Sequence, residues 1–297
     1  MDYIVEVKNV RKKYKTAIAL KDVTMNIRRG EIYGFVGENG AGKSTMIRVL
    51  TNVNRPTSGE VILNVEKRLG SIAALVETPA LYQNQNAMNN LLFHADILGI
   101  TKTKEELEEI LHLVGLDDQI ESHKLAKNYS LGMKQRLSIA LILLSNPEFV
   151  LLDEPMNGLD PVGIKDMRDL ILKLNKEHGT TFLISSHILS ELDKIATTYG
   201  FISHGVLLEE ISAKDLHEKA RSYGIVKLAA IDEKVLSLLH DFKPEVRENA
   251  IIISGHEEAL KALQILGKNE IIVLDFETIR QTIEDYYLEV IKKGEDA

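Results

Sequence analysis

The chain has 297 residues, of which 44% are hydrophobic, and it carries a formal net charge of -8 at pH 7. This length and composition are typical of a globular protein with one large domain and an appendage. The negative charge argues against a general nucleic-acid binder, so no nucleic acid is expected as a partner. The sequence has no cysteine, which excludes disulfides and thiolate metal sites.

The sequence contains no apolar run of about 18 residues, the length that a membrane-spanning helix needs. Its first residues carry charges where a secretory signal would need an apolar stretch. We therefore expect a cytoplasmic protein, which works at a membrane only by docking onto another protein that spans it.

The first part of the chain predicts strands followed by a strand–turn–helix unit. Apolar and polar residues alternate near residues 4–8 and 23–27, which predicts antiparallel strands. Residues 31–36 predict a buried strand, a glycine-rich turn follows, and residues 44–51 are compatible with a helix.

The remaining elements divide into three groups. Residues 79–146 predict a helical subdomain, with helices at 87–98, 104–114 and 132–144. Short apolar strands at 149–152, 181–185 and 200–202, with a helix at 162–177, predict a parallel α/β arrangement. The tail, residues 214–297, predicts a small α+β domain with strands at 225–229, 250–254 and 271–276 and helices at 233–240, 257–266 and 278–292.

A phosphate-binding loop is the strongest local motif. It consists of Gly37, Glu38, Asn39, Gly40, Ala41, Gly42, Lys43, Ser44 and Thr45, between a predicted strand and a predicted helix. The glycines let backbone N–H groups and the helix N-terminus face phosphate oxygens. Lys43 is expected to reach the β- and γ-phosphates, and Ser44 to bind Mg²⁺. The alternative is a plain glycine-rich turn before a helix.

Two adjacent acids follow the apolar strand 149–152. Asp153 is suited to hold Mg²⁺, and Glu154 is suited to activate the attacking water as a general base. The C-terminal edge of a parallel sheet is where such folds place their ligands. Acids at a strand end are also common on surfaces, so the phosphate loop is what favours the catalytic interpretation.

Further motifs make residues 1 to about 215 resemble the ABC ATPase family. Residues 129–136, Tyr-Ser-Leu-Gly-Met-Lys-Gln-Arg, resemble its signature motif and are called the signature segment below. Residues 157–160, Asn-Gly-Leu-Asp, resemble its D-loop, and Ser185-Ser186-His187 resembles the segment with its switch histidine. The resemblance implies an α/β phosphate-loop ATPase domain, residues 1–213, with an antiparallel β subdomain and a helical subdomain.

The resemblance also implies an ATP site shared by two subunits, because the phosphate loop and signature lie at opposite ends of one subunit in this family. Ser130 and Gly132 would contact the γ-phosphate held by the partner, which is a second copy or a sister ATPase. His187 would orient the γ-phosphate and water, and Asp160 would communicate across the interface. Tyr14 matches the aromatic residue that stacks on adenine; otherwise it is a tyrosine packed at a strand end.

Two positions depart from the usual family pattern. Glu77 stands where most members have a glutamine that touches Mg²⁺, and a carboxylate can also ligate this ion. In the signature segment, Leu131 replaces a glycine and Met133 a glutamine. Leu131 adds bulk where the backbone normally approaches phosphate closely.

The residues around Glu77 resemble the bacitracin-resistance and lantibiotic-immunity branch of bacterial ABC exporters. This narrower resemblance implies an ATPase that binds ATP and Mg²⁺ and drives export of a peptide or amphipathic molecule. Separate transmembrane permease subunits would carry the cargo, and residues 79–100 would dock onto them, with the chain on the inner face of the membrane. The alternatives are a soluble ABC ATPase acting on ribosomes or nucleic acid and a weakly hydrolysing regulatory subunit.

Overall fold

The computed structural model describes residues 2–76, 81–220, 223–247, 249–279 and 282–295. The chain folds into two compact units, Met1–Ala213 and Lys214–Ala297. None of the helices in these described ranges combines the length and apolar character needed to cross a bilayer.

The first unit is built on a six-stranded sheet and a three-stranded sheet. Its strands are β1 (Tyr3–Lys13), β2 (Ile18–Arg28), β3 (Ile32–Val36), β4 (Ser58–Leu63), β5 (Ile72–Leu75), β6 (Phe149–Asp153), β7 (Thr181–Ser186), β8 (Thr198–Ser203) and β9 (Val206–Ser212). Its helices are α1 (Lys43–Leu50), α2 (Ala87–Leu98), α3 (Lys104–Leu113), α4 (Leu131–Leu143), α5 (Pro161–His178) and α6 (Leu189–Leu192). Short 3₁₀ turns occur at Asp117–Gln119 and Ala126–Asn128, and α7 (Ala213–Lys219) begins at the boundary between the units.

The larger sheet has the strand order β5-β6-β7-β3-β8-β9. Its first five strands run parallel, and β9 pairs antiparallel with β8. Every residue of β3, β6 and β7 is buried, as expected for parallel strands covered on both faces. Strands of this kind read as continuous apolar runs, which is why the sequence predicts them well.

The smaller sheet is antiparallel, in the order β2-β1-β4. A polar contact ties it to the larger sheet: Glu210 in β9 accepts hydrogen bonds from the Tyr33 hydroxyl at 2.8 Å and the Asn26 backbone N–H at 3.2 Å. Burial raises the pKa of both Tyr33 and Glu210. The two sheets are therefore joined by a polar contact as well as by apolar packing.

Each helix between β5 and β6 is preceded by a residue whose side chain caps its N-terminus. Asn86 accepts the Asn89 N–H at the start of α2, and Thr103 forms a capping box with Glu106 at the start of α3. Ser130 accepts the Met133 N–H at the start of α4. These caps set the helix starts because they satisfy backbone N–H groups that have no partner inside the helix.

The second unit has the element order βαββαβ followed by a helix. Its elements are β10 (Tyr223–Leu228), α8 (Glu233–Leu238), β11 (Glu245–Arg247), β12 (Ala250–Ser254), α9 (His256–Lys268), β13 (Val273–Ile279) and α10 (Ile283–Glu295). The antiparallel strand order β11-β12-β10-β13 is that of a ferredoxin-like fold. Its core packs apolar residues of the strands, such as Val226 and Ile251, against Ala259 and Ala262 of α9.

Several sequence expectations differ from the structure. The strands β4, β5, β9 and β11 were not predicted, because they are short or carry few large apolar residues in alternation. The prediction of a last helix from residue 278 is wrong at its start. Thr278 and Ile279 instead pair with Gly224 and Tyr223 in the sheet, and α10 begins at Ile283.

The packing of β10 against α9 generates a prediction about Gly224. A Cβ at this position would lie 2.3 Å from the Ala259 Cβ and 3.0 Å from the Phe276 ring. Gly224→Ala is expected to destabilise the second unit by about 1–3 kcal/mol through overpacking. Hydrogen–deuterium exchange of β10 and β12 in the full chain should then accelerate roughly ten- to a hundredfold.

Gly267→Ala provides the control, because a Cβ there meets nothing within 4 Å and the position lies inside α9. Alanine favours a helix interior over glycine by about 0.5–1 kcal/mol, so exchange should be unchanged or slower. Equal exchange rates in Gly224→Ala and the unmodified chain would contradict the packing described.

Candidate active site

The phosphate loop occupies the turn between β3 and α1, as its sequence context requires. Gly40 and Gly42 have φ values of 85° and 116°, in the region that favours glycine. Gly42 also precedes α1 without a side-chain cap, so the first N–H groups of the helix are left for a ligand. A helix N-terminus of this kind attracts anions.

A cavity of about 460 Å³ lies at this loop. Of the predicted loop residues, those that line it are Glu38, Asn39, Gly40, Gly42, Lys43, Ser44 and Thr45. Ala41 instead belongs to the hydrophobic core, and a Cβ on Gly37 would lie 2.4 Å from the Ile202 carbonyl oxygen. These two residues therefore lie on the side of the loop that packs against the protein interior.

Lys43 is held in place by contacts from the loop and from one acid. Its side chain is only 6% exposed, and Nζ donates to the carbonyl oxygens of Gly37 at 2.6 Å and Glu38 at 3.2 Å. The same Nζ lies 3.3 Å from Glu154 Oε1. A buried ammonium needs such partners, because an unpaired charge away from water is costly.

The two acids follow one another at the end of β6 and line the same cavity. Asp153 Oδ1 accepts a 2.5 Å hydrogen bond from the Ser185 hydroxyl. Glu154 has a φ of 50°, which is uncommon for a residue other than glycine. This turn of the backbone follows directly on the buried strand.

The Glu154 carboxylate is shared between two groups. Its Oε2 lies 2.8 Å from His187 Nδ1, just after β7. Its Oε1 is buried and accepts no hydrogen bond among the described residues, although Lys43 Nζ is near. That oxygen can accept a hydrogen bond from a water or a substrate, as a general base must.

Part of the signature segment lies beside this cavity. Leu131 and Gln135, at the start of α4, line it together with the phosphate loop. The Gln135 side-chain amide donates to the Pro155 carbonyl at 3.1 Å, which ties α4 to the turn after the acids. Ser130 and Gly132, the signature residues expected to contact a nucleotide held by the partner, do not line this cavity.

Five other predicted residues do not line the cavity, and one of them is His187, which contacts the lining residue Glu154. Ser130 caps α4, and Asp160 caps α5 by accepting the Gly163 N–H at 2.8 Å. The nearest atom to a Cβ on Gly132 is Leu159 Cδ2, at 3.8 Å. Tyr14 is 40% exposed, with its hydroxyl accepting from the Asn54 amide at 2.9 Å. Glu77 lies outside the described residues.

Four residues that line the cavity were not predicted as site residues. Leu131, Gln135 and Asn157 belong to motifs that the sequence analysis identified, so their positions in those motifs were the available signal. Ala19 has no functional group, and nothing in the sequence marks it. Ser185 was part of a quoted motif, but its contact with Asp153 depends on strand register.

Comparisons with known proteins agree with this geometry. The ABC transporter family matches residues 20–157. The bacitracin transport ATP-binding protein BcrA of Bacillus licheniformis is 40% identical over 99% of this chain and 99% of its own. The lantibiotic transport ATP-binding protein SrtF of Streptococcus pyogenes is 39% identical over 70% of this chain and 90% of its own.

A solved structure extends the likeness to three dimensions. The ATP-binding cassette MJ0796, in a dimeric post-hydrolysis state bound to ADP and Pi, has a TM-score of 0.62 and 26% identity. The match covers 70% of this chain and 98% of that one.

The chain therefore belongs to the ATP-binding subunits of ABC transporters. The fold class expected from the sequence is confirmed, and the chain is an ATPase whose hydrolysis is coupled to transport. It binds ATP and works with membrane permease subunits.

The phosphate loop generates a prediction about Gly42. A Cβ at this left-handed position would lie 2.7 Å from the Ala19 carbonyl oxygen, so the loop would have to shift. Gly42→Ala is expected to weaken nucleotide binding at least roughly tenfold, measured by titration with a fluorescent ATP analogue.

Gly30→Ala is the matched control, because Gly30 also has a positive φ, of 77°, but has open space around it. It should reduce stability by about 1 kcal/mol and leave nucleotide binding unchanged. Wild-type affinity in Gly42→Ala would contradict the proposed fit of the loop, and so would an equal loss in both variants.

Proposed function

We propose that this chain powers the export of a peptide antibiotic or a similar amphipathic molecule through separate membrane subunits. The match to BcrA carries this proposal, since it covers 99% of both chains. A match over 99% of this chain includes the second unit, Lys214–Ala297. The similarity therefore extends beyond the ATPase core that many transporters share. SrtF, also named for peptide antibiotic transport, supports the same cargo class.

The phosphate loop and Lys43 would bind the phosphates of ATP. Lys43 now donates to two loop carbonyls, and a phosphate oxygen would replace them as acceptors. The free N–H groups at the start of α1 would add further donors. Tyr14, which is partly exposed upstream of the loop, would stack on the adenine ring.

Ser44 and Asp153 are the residues proposed to hold Mg²⁺, because both line the cavity and hydroxyl and carboxylate oxygens suit this ion. When bound with ATP, Mg²⁺ would supply positive charge that offsets the negative charge of the phosphates. No group of three or more acidic, histidine or cysteine side chains suited to a metal occurs in the described part of the chain. The two donors Ser44 and Asp153 fit an ion that is also bound by phosphate oxygens.

Glu154 would take a proton from the attacking water, and His187 would orient the γ-phosphate and this water. The 2.8 Å contact between His187 Nδ1 and Glu154 Oε2 supports this shared role. Glu154 Oε1, which accepts no hydrogen bond from the described residues, is the oxygen we assign to the water.

A dimer would complete the site, as in the family resemblance. Ser130 and Gly132 lie at the N-terminal end of α4, where a hydroxyl and backbone N–H groups can bind an anion. Ser130 is exposed, and so is Asp160, next to the start of α5. The partner would be a second copy or a sister ATPase.

Docking onto the permease subunits would use an apolar surface on and before α2. Tyr82, Phe93 and Ile97 are exposed by 42%, 40% and 66%. The rings of Tyr82 and Phe93 meet edge to face, with centroids 5.5 Å apart. Through this contact the chain would sit on the inner face of the membrane.

The catalytic assignment is tested with Glu154→Gln. We expect ATP hydrolysis by the purified chain to fall at least roughly a hundredfold, because the amide cannot accept the proton. ATP-induced dimers of this variant should persist in size-exclusion chromatography. Glu191→Gln, whose side chain is 19% exposed compared with 21% for Glu154, is the control and should hydrolyse ATP normally.

The cargo class is tested in cells that express the chain together with its membrane permease subunits. The unmodified chain should raise the bacitracin or lantibiotic concentration that stops growth, and Glu154→Gln should not. If Glu154→Gln abolishes hydrolysis in vitro but neither chain changes resistance, the ATPase assignment stands and the cargo proposal is wrong.

The docking surface gives a separate prediction. Ile97→Asp places a charge on the proposed contact and should reduce co-purification with the membrane subunits at least roughly tenfold. Hydrolysis by the isolated chain should remain normal. Leu274→Asp, at a similarly exposed position in β13 (64%), should co-purify like the unmodified chain; an equal loss in both variants would contradict the proposal.

A further inference from the structure

Ser185 lies in β7 opposite Asp153 in β6 and is fully buried. Its hydroxyl contacts both acids of the site. We propose that Ser185 is a positioning residue for ATP hydrolysis, which fixes the Asp153 carboxylate and the backbone of Glu154 through one hydroxyl group. The inference rests on the proposed role of Asp153 in holding Mg²⁺.

The first contact concerns the Asp153 side chain. Asp153 is only 9% exposed, and Ser185 Oγ donates to its Oδ1 at 2.5 Å. Oδ2 accepts no hydrogen bond from the described residues, although the side chain lines the cavity. The serine therefore satisfies one carboxylate oxygen of Asp153 and leaves the other oxygen for a ligand.

The second contact concerns the Glu154 backbone. The Glu154 N–H donates to Ser185 Oγ at 3.1 Å and to the Ser185 carbonyl at 3.2 Å. Glu154 has a φ of 50°, a conformation that needs support from its surroundings in a residue other than glycine. This turn directs the Glu154 carboxylate to Lys43 and His187.

A serine hydroxyl suits both contacts because it has one hydrogen to donate and lone pairs to accept. The hydroxyl donates to Asp153 and accepts from the Glu154 N–H, and alanine can form neither hydrogen bond. Threonine keeps both functions, whereas cysteine keeps the shape with a weaker donor. Residues that hold metal ligands in this way affect both metal affinity and rate.

Thr181 provides a matched control in the same strand. It is also fully buried, and its hydroxyl accepts the Gly30 N–H at 2.9 Å, far from the acids. Thr181→Val and Ser185→Ala therefore each remove from β7 one buried hydroxyl that accepts a backbone N–H. Only the second removes a contact with the site.

The experiment compares purified full-length chains in two measurements. The first is ATP hydrolysis as a function of Mg²⁺ concentration. The second is binding of a fluorescent ADP analogue, in EDTA and with Mg²⁺. For Ser185→Ala we expect a roughly 10–100-fold loss in kcat or in apparent Mg²⁺ affinity. The gain in ADP affinity on adding Mg²⁺ should shrink similarly, while binding in EDTA stays unchanged.

Ser185→Thr should recover most of this loss, Ser185→Cys should be intermediate, and Thr181→Val should behave as the unmodified chain. The proposal is overturned if Ser185→Ala keeps its rate and Mg²⁺ dependence within about twofold. It is also overturned if Ser185→Ala weakens ADP binding equally in EDTA, or if Thr181→Val has the same effect. Should Ser185→Ala fail to fold, the threonine and cysteine variants decide, and wild-type behaviour of the cysteine variant overturns the proposal.

Asp153→Asn separates the two levels of inference. If this variant loses its Mg²⁺ response while Ser185→Ala does not, the metal role of Asp153 stands and the role of Ser185 is wrong. If Asp153→Asn keeps the Mg²⁺ response, the metal assignment is wrong and the role of Ser185 falls with it.

Discussion

The parallel pairing of β3, β6 and β7 is the constraint on which the site depends. Their register sets Val36 beside Ser186 and Asp153 beside Ser185, so the three strands end at one level. The phosphate loop, Glu154 and His187 follow directly at those ends. Groups that are far apart in the chain therefore converge at one edge of the sheet, where parallel folds bind ligands. A slip of one residue would turn the side chains of a strand to the opposite face and separate these groups.

The positive charge of Lys43 links the phosphate loop to Glu154 at this edge of the sheet. Its ammonium is nearly buried and lies 3.3 Å from the negatively charged Glu154 carboxylate. Each charge therefore offsets part of the desolvation cost of burying the other. A phosphate oxygen near Lys43 Nζ would compete with the two loop carbonyls and with Glu154 for the three N–H donors of the ammonium. Glu154 would then keep its contact with His187 as its main partner. On the proposed assignment, nucleotide binding and the contacts of Glu154 would therefore be linked through Lys43.

Local motifs predicted the parts of the site that depend on neighbouring residues in the chain. The phosphate loop needs its glycines and lysine in order, and the acids need the apolar strand before them, so both could be read from sequence. The contact of Ser185 with Asp153 depends on strand register, and the nearness of Leu131 depends on how α4 packs; neither leaves a sequence pattern. The strand β5 was missed because Ile-Ala-Ala-Leu carries two small residues, and its position in the sheet comes from pairing with β6.

In the second unit, too, part of the fold depends on strand pairing that the sequence does not reveal. Its strands and helices were mostly predicted, but the ferredoxin-like order requires β11, a three-residue exposed strand that pairs with β12. All residues that line the nucleotide cavity belong to the first unit. SrtF matches 70% of this chain, whereas BcrA matches 99% and so includes the second unit. The residues proposed to act on ATP also lie in the first unit, so the extra length that this chain shares with BcrA adds no residue to the cavity.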